Sequence, residues 1–172
     1  MKSVLISIQP KWCQKIVKGE KTIEVRKTRP KIDTPFKCYI YMTATKERRR
    51  FWEYITAYQN SKGDIVDGSQ KVIGEFICDW VTKITPHCDI EDFVNQYIHG
   101  YPAILGENDC LSFQEMKAYL GNKNGYDWHI SDLKIYDKPK ELSEFFTPMG
   151  KRPSYMIERP PQSWQYVEEL EK

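Results

Sequence analysis

The chain has 172 residues, of which 40% are hydrophobic and 29% are charged, and its formal net charge is +2. This composition is typical of a single globular domain, and no apolar run reaches the ~18 residues of a membrane span. The calculated pI of about 8.2 permits a nucleic-acid partner but does not require one, since dedicated nucleic-acid domains usually exceed about 9. Five cysteines without a C-x-x-C pair, and the absence of a secretory leader pattern, predict a reduced, cytoplasmic protein with no membrane partner.

The first predicted elements are a strand over 4–8 and a helix over 10–18. Within the helix, four apolar residues recur on one side and predict a buried stripe: Trp12, Cys13, Ile16 and Val17. Gly19 follows, and glycine readily adopts the left-handed conformation that ends a helix. We therefore expect the chain to turn at this glycine.

The segment after Gly19 predicts a short strand with one charged face. Ile23 and Val25 alternate with Thr22, Glu24 and Arg26, so the two sets point to opposite sides of a strand. The charged face lines either solvent or a cleft. If it faces solvent, its ion pair contributes less than about 1 kcal/mol to stability. Both interpretations stay open at this point.

The rest of the chain alternates irregularly between strand and helix patterns. Gly74 lies inside a strand pattern and predicts a bulge or bend, and Ser112 with Glu115 forms a capping box before a helix ended by Gly121. The predicted strands are 37–44, 71–84, 126–136 and 164–167, and the predicted helices are 46–58, 90–99, 113–120 and 142–146. This order does not fit a doubly wound α/β sheet. It fits better an α+β fold, in which helices pack around a mixed, mostly antiparallel β-barrel.

Basic residues cluster in two places. Lys21, Arg26, Lys27, Arg29 and Lys31 lie within eleven residues, and arginines occupy 48–50. Such clusters bind phosphates, and with nearby aromatic rings they are typical of single-stranded RNA recognition. The alternative for the arginines at 48–50 is the solvated face of one helix.

Metal and cofactor motifs are not evident. The residues that could ligate zinc include His87, Cys88 and Cys110, but their spacings match no zinc finger, knuckle or ribbon. Phosphate-loop, dinucleotide and serine-hydrolase motifs are also missing. We therefore predict no metal and no cofactor.

Three motifs in order resemble the ASCH family, a group named for activating signal cointegrator homology within the PUA-like superfamily of RNA-associated barrels. Residues 7–10 read SIQP, followed by Trp12, and residues 19–26 read GEKTIEVR, which matches the family pattern G-x-K-x-x-E-x-R. Residues 72–77 (VIGEFI) and 126–131 (YDWHIS) resemble two later strands of the family. The resemblance implies one ASCH-like domain over 1–172. Its signature core spans about 3–138, with helical insertions at about 46–60 and 89–121 and a C-terminal extension over 139–172.

The resemblance also implies a ligand cleft between the first helix and the barrel. By position, Lys21, Thr22, Glu24, Arg26 and Trp128 line this cleft. Trp12 or Trp128 would stack on a base, and Lys21, Lys27 and Arg29 would contact phosphate. The implied partner is RNA or a nucleoside-like ligand, with DNA left open, and the implied role is that of a regulator or factor in RNA metabolism.

An enzymatic role is the main alternative. The family's bacterial acetylcytidine amidohydrolases use the motif lysine, a threonine at the position of Glu24, and a later glutamate. This chain keeps Lys21 but lacks the threonine hydroxyl, and only Asp109 or Glu107 stands near the expected place of the later carboxylate. Lys21 and Glu24 could still form an acid/base pair for hydrolysis by water, ribonuclease activity stays open, and a protein-interaction module is a third hypothesis.

Overall fold

The computed structural model describes residues 2–45, 56–84, 110–150 and 153–170. Two α-helices of eight residues each lie in these ranges, namely α1 (Pro10–Val17) and α2 (Phe113–Leu120), with a 3-10 helix at Leu142–Glu144. The described strands are β1 (Lys2–Ile8), β2 (Ile23–Arg26), β3 (Phe36–Met42), β4 (Ala57–Gln59), β5 (Ile65–Asp67), β6 (Val72–Cys78), β7 (Val81–Ile84), β8 (Gly125–His129), β9 (Ser131–Lys140) and β10 (Trp164–Glu168). No helix in these ranges is long and apolar enough to cross a membrane.

The described strands form three open sheets instead of the predicted barrel. A five-stranded sheet has the order β10-β1-β3-β6-β9, a three-stranded sheet has the order β2-β8-β7, and β4 pairs with β5. Only the β1–β3 pair is parallel, so the prediction of a mixed, mostly antiparallel arrangement is confirmed among these strands. The prediction of closure is wrong for these strands, because the five-stranded sheet ends in edges at β9 and β10.

Two strands predicted as continuous are each split, which explains the second sheet. The strand predicted over 71–84 is broken after Cys78, and the strand predicted over 126–136 is broken at Ile130, so β7 and β8 leave the first sheet and pair with each other. At the breaks, the Ile130 amide donates to the Thr22 carbonyl and the His129 amide to the Trp80 carbonyl. These bonds provide hydrogen-bond partners for the backbone amides where the chain passes from one sheet to the other.

The first helix ends as the sequence predicts. Gly19 has a φ of 73°, and the Glu20 and Lys21 amides both donate to the Lys15 carbonyl at 2.9 and 3.2 Å. Cys13 and Ile16 are fully buried, which confirms the apolar stripe. The capping box of α2 is also present, since Ser112 and Glu115 bond reciprocally.

One predicted helix is corrected and another cannot be assessed. The helix over 46–58 should have included Tyr58, but Ala57–Gln59 is β4, an extended strand whose partner is Ile65–Asp67. Residues 46–55 of that helix lie outside the described residues, as do the arginines at 48–50, the helix over 90–99 and the carboxylates Glu107 and Asp109. The domain bounds from the sequence stay a prediction.

The five-stranded sheet is buried on both faces. One face packs on α1 and the second sheet through residues such as Ile6, Ile40 and Phe76. The other face packs under the C-terminal segment through residues such as Tyr39 and Phe145. Strands covered on both sides show continuous apolar runs, as β1 and β3 do.

Gly74 confirms the predicted irregularity in β6. The β3–β6 register shifts beside it, between Ile40 and Tyr41. A Cβ at this position would approach the Lys134 carbonyl oxygen to 2.5 Å, so the close pairing of β6 with β9 requires a residue without a side chain.

Candidate ligand-binding site

A cavity of about 420 Å³ lies where the end of β1, α1, β2 and α2 meet. Its lining includes three cations, Lys11, Lys21 and Arg26, and two carboxylates, Glu24 and Glu115. Pockets for small ligands usually measure about 300–1,000 Å³. This volume can hold one nucleoside-sized molecule.

The inner wall of the cavity carries three buried charged residues, which we call the charged triad: Lys21, Glu24 and Arg26. Their exposed fractions are 2%, 5% and 7%. Arg26 Nη2 lies 2.9 Å from Glu24 Oε1, and Lys21 Nζ lies 3.4 Å from Glu24 Oε2. The burial excludes the interpretation of an exposed ion pair.

The local chain path explains how the triad forms. The turn at Gly19 brings Lys21 directly in front of β2, and the alternation of the strand places Glu24 and Arg26 two residues apart on one face. Lys21 Nζ donates to the Ile23 carbonyl oxygen at 2.6 Å, which holds the ammonium group next to Glu24.

Arg26 joins the two larger sheets. Its Nη2 donates to the Ser7 carbonyl oxygen at 2.6 Å, and Ser7 belongs to β1 of the five-stranded sheet whereas Arg26 belongs to β2 of the other. A hydrogen bond from a charged donor contributes about 1.5–3 kcal/mol. The triad therefore supports the junction of the sheets as well as lining the cavity.

The triad is not fully satisfied by its own contacts. Among the described residues, buried Arg26 Nε has no hydrogen-bond partner, and Glu24 Oε2 accepts no hydrogen bond beyond its ion pair with Lys21. Buried polar atoms without partners cost about 1–3 kcal/mol each. Such a cost is commonly tolerated at sites that serve a ligand.

Aromatic rings form two other walls. The Trp12 ring lies 4.2 Å from Lys11 Nζ and 5.3 Å from Lys21 Nζ, so cations contact its face. Tyr119 on α2 also lines the cavity. Burial raises the pKa of Tyr119, while the nearby Arg26 guanidinium opposes this increase, so its hydroxyl stays a neutral donor and acceptor at physiological pH.

The cavity contains four of the residues that the sequence singled out: Trp12, Lys21, Glu24 and Arg26. Four others lie outside its lining: Thr22, Lys27, Arg29 and Trp128. Thr22 is half-buried in the turn before β2, and Lys27 and Arg29 are exposed in the loop that follows.

Trp128 is fully buried in the core, with no exposed surface. Its ring centroid lies 5.7 Å from that of Phe36 in an edge-on contact and 6.0 Å from that of Trp164 in a tilted contact. It pairs with Glu24 across the β2–β8 ladder, so it supports the strand of the triad and does not line the cavity.

Sequence reasoning missed the contribution of α2. Glu115 and Tyr119 are four residues apart, so they lie on one face of that helix, and this face lines the cavity. Glu115 caps α2 and also lies 3.8 Å from Lys11 Nζ. The i, i+4 spacing is readable from the sequence, but nothing in the sequence says which element the helix packs against.

No group of three or more potential metal ligands occurs among the residues that the structure describes. A histidine–carboxylate pair does occur away from the cavity, where His129 Nδ1 lies 2.6 Å from Asp79 Oδ1. The His129 ring stacks on Trp80 at 4.8 Å. A pair of this kind provides two potential ligands, fewer than a structural metal site needs.

No protein-family model matches the sequence, and no curated protein is significantly similar to it. Solved structures of an ASCH protein are similar to this chain in their fold. An ASCH protein from Zymomonas mobilis superposes with a TM-score of 0.57 and 19% identity, over 96% of this chain and 87% of that one. Two mutant proteins of the same ASCH protein give TM-scores of 0.58, with 19% and 20% identity over 98% and 96% of this chain and 91% and 88% of theirs.

Proposed function

We propose that this chain, which has the fold of ASCH structures, binds one nucleoside unit in the cavity over the charged triad, either within RNA or as a free nucleoside. The observation that carries the proposal is the burial of three charged side chains, Lys21, Glu24 and Arg26, in the wall of a cavity of nucleoside size. Buried charges are costly for a fold. Their position beside a cavity favours a role in binding.

The chemistry of the walls matches that of a nucleobase. A carboxylate such as Glu24 accepts hydrogen bonds from an exocyclic amino group, and a guanidinium such as Arg26 donates to ring nitrogen and carbonyl acceptors. The Trp12 ring offers a surface for stacking, which contributes about 1–3 kcal/mol per base. Three cations against two carboxylates in the lining give the cavity a positive balance that suits a phosphorylated unit.

Measurements of binding affinity test this proposal directly. We would measure the affinity of a fluorescent RNA of about eight nucleotides, within the usual range of single-strand site sizes, and of a panel of nucleosides. The matched pair of variants is Lys11→Gln, which removes a cation from the cavity, and Lys15→Gln, which removes a half-buried lysine of the same helix outside the cavity.

We expect Lys11→Gln and Trp12→Ala to weaken binding at low salt, and Lys15→Gln to leave it unchanged. Tight binding that none of the cavity variants affects would overturn the assignment of the cavity. The absence of binding by both probe types would overturn the function itself.

A hydrolase is the second candidate, because Lys21 Nζ and Glu24 Oε2 lie 3.4 Å apart beside the cavity. In this mechanism the pair would move protons for a water that attacks a modified base or a phosphodiester. Lys21→Arg separates the two functions, since arginine keeps the charge but cannot give up its proton. Retained binding with lost turnover would support hydrolysis, whereas no turnover in the parent protein would exclude it for the substrates tested.

A further inference from the structure

We infer that the ligand is single-stranded RNA and that its backbone continues from the cavity across a second surface, which we call the β10 surface. This surface consists of the loop 27–31 and the aromatic face of β10, and the inference rests on the proposed function of the cavity. A free nucleoside would end at the cavity.

Contacts connect the cavity to the β10 surface without a gap. Lys27 Nζ lies 5.0 Å from the ring of Tyr119, which lines the cavity. The next residue, Thr28, accepts a hydrogen bond from Trp164 Nε1 at 3.0 Å. Ser7, also in the cavity lining, contacts the segment before β10 through its hydroxyl, which donates to the Pro161 carbonyl oxygen at 2.6 Å.

The aromatic part of the surface is built on an edge strand. Trp164 and Tyr166 are two residues apart in β10 and share one face, with ring centroids 5.4 Å apart. Both are half-buried, and β10 is the edge of the five-stranded sheet next to β1. Half-buried rings on an edge strand are fixed in orientation and still accessible to a base.

Exposed cations surround these rings. Lys2 Nζ lies 4.5 Å from the Tyr166 ring centroid, and the Lys31 amide donates to the Tyr166 hydroxyl at 2.7 Å. Lys2, Lys27 and Lys31 are all exposed. Cations interleaved with aromatic rings are the chemistry that proteins use for single strands.

Carboxylates near the surface do not cancel this charge. Asp33 is the one acidic residue among residues 27–33. Glu168 lies opposite Lys2 in the β1–β10 register, and its Oε1 accepts from the Met149 amide at 2.9 Å. The three lysines of the surface therefore outnumber these two carboxylates.

The loop is held in a defined shape. Pro30 is buried, and the Arg29 guanidinium folds back, with Nε 3.3 Å from the Pro30 carbonyl oxygen and Nη2 3.4 Å from the Ile32 carbonyl oxygen. Arg29 therefore shapes the loop, and the lysines on either side of it are left to contact phosphate. A fixed loop lowers the entropy that a bound strand must overcome.

The experiment compares a long and a short probe. The probes are a single-stranded RNA of about eight nucleotides and a 5′-mononucleotide, each titrated at several salt concentrations. The variant is the double change Lys2→Gln with Lys31→Gln. The control is Lys140→Gln, which removes a half-buried lysine of β9 that also lies near a tyrosine ring, 5.7 Å from Tyr136.

We expect the parent protein to bind the RNA more tightly than the mononucleotide. The double variant should weaken RNA binding and make its salt dependence shallower by about 1.4 in log–log slope, which is about 0.7 for each lost phosphate contact on a single strand. Binding of the mononucleotide, and all binding by Lys140→Gln, should stay as in the parent.

Two results would overturn the inference separately from the proposed function. Equal affinity for both probes in the parent protein, or an unchanged RNA slope in the double variant, would limit the site to the cavity while leaving its function intact. If neither probe binds, both the inference and the proposed function fail.

Discussion

Replacing Glu24 with glutamine should destabilise the protein strongly, because Glu24 is the common partner of two buried cations. Its carboxylate lies 2.9 Å from Arg26 Nη2 and 3.4 Å from Lys21 Nζ, and its side chain is 7% exposed. Glutamine has nearly the same volume, so Glu24→Gln leaves no new cavity. The change removes a charge and little else.

The expected magnitude follows from the burial. Breaking a buried ion pair by removing one partner costs about 3–5 kcal/mol, since the remaining charge has no compensation. The cavity gives water some access to Lys21 and Arg26, so we expect the lower end, about 3 kcal/mol. Lys21→Met should cost less, about 1–2 kcal/mol, because Glu24 keeps its bond to Arg26. The cost arises because Glu24 Oε2 loses its ion pair and the Ile23 carbonyl oxygen loses a donor.

Urea unfolding at neutral pH measures both changes. With a slope of about 2 kcal/mol/M, a loss of about 3 kcal/mol moves the midpoint by about 1.5 M. The double variant Lys21→Met with Glu24→Gln should be less destabilised than the sum of the single variants, because Lys21→Met removes a cation that Glu24→Gln leaves unpaired. A Glu24→Gln midpoint within about 0.5 M of the parent would refute the reasoning and show that the triad is solvated.

Three further predictions concern backbone packing, thiols and helix capping. Gly74→Ala should destabilise the protein by about 1–3 kcal/mol in the same unfolding assay, because a Cβ would meet the Lys134 carbonyl at 2.5 Å; unchanged stability would show that β9 moves aside freely. Burial raises the pKa of the thiols of Cys13, Cys38 and Cys78, that of Cys78 to about 12. After thiol labelling at pH 8, peptide mapping should therefore find these three cysteines unlabelled in the native protein and labelled in urea. The backbone amide and hydroxyl of Ser112 lower the pKa of Glu115, so the stability that this carboxylate contributes is present above its unfolded pKa of about 4.3 and is lost as pH falls through the lower folded pKa. An NMR titration of Glu115 should show a pKa below its unfolded value, and Ser112→Ala should raise this pKa because the hydroxyl donor is lost. An equal pKa in both proteins would contradict the contribution of the hydroxyl.

The sequence predicted the elements whose signals are local. The turn at Gly19, the stripe of α1, the capping box at Ser112 and the irregular position Gly74 all depend on neighbours within a few residues, and the structure confirms each of them. The resemblance of residues 19–26 to the ASCH signature also predicted the fold that the solved structures support.

The sequence could not predict features that depend on distant partners. The pattern over 126–136 predicts one strand, because no residue near Ile130 in the sequence indicates a break there. The break depends on the hydrogen bond from the Ile130 amide to the Thr22 carbonyl oxygen, which is distant in the sequence. Tyr58 fits a helical stripe by spacing, yet its segment pairs with Val66 as a hairpin. The open sheets in place of a barrel follow from such breaks.

The candidate site was predictable only in part for the same reason. Glu24 and Arg26 share a face by strand alternation, and this much is local. Trp128 resembles a stacking residue by position but is fully buried, while Glu115 and Tyr119 reach the cavity through the packing of α2. A motif therefore indicated one wall of the cavity, and tertiary packing supplied the opposite wall.

The charged triad has a consequence for how this protein can change during evolution. Any single replacement at Lys21, Glu24 or Arg26 leaves a buried charge or a buried carbonyl without its partner, so each isolated step passes through a less stable intermediate. Neutral replacements are therefore accessible chiefly in combination. Across descendants of this chain, we expect the three positions to be retained together or exchanged together, and a lineage that has lost one of them to carry a compensating change at another.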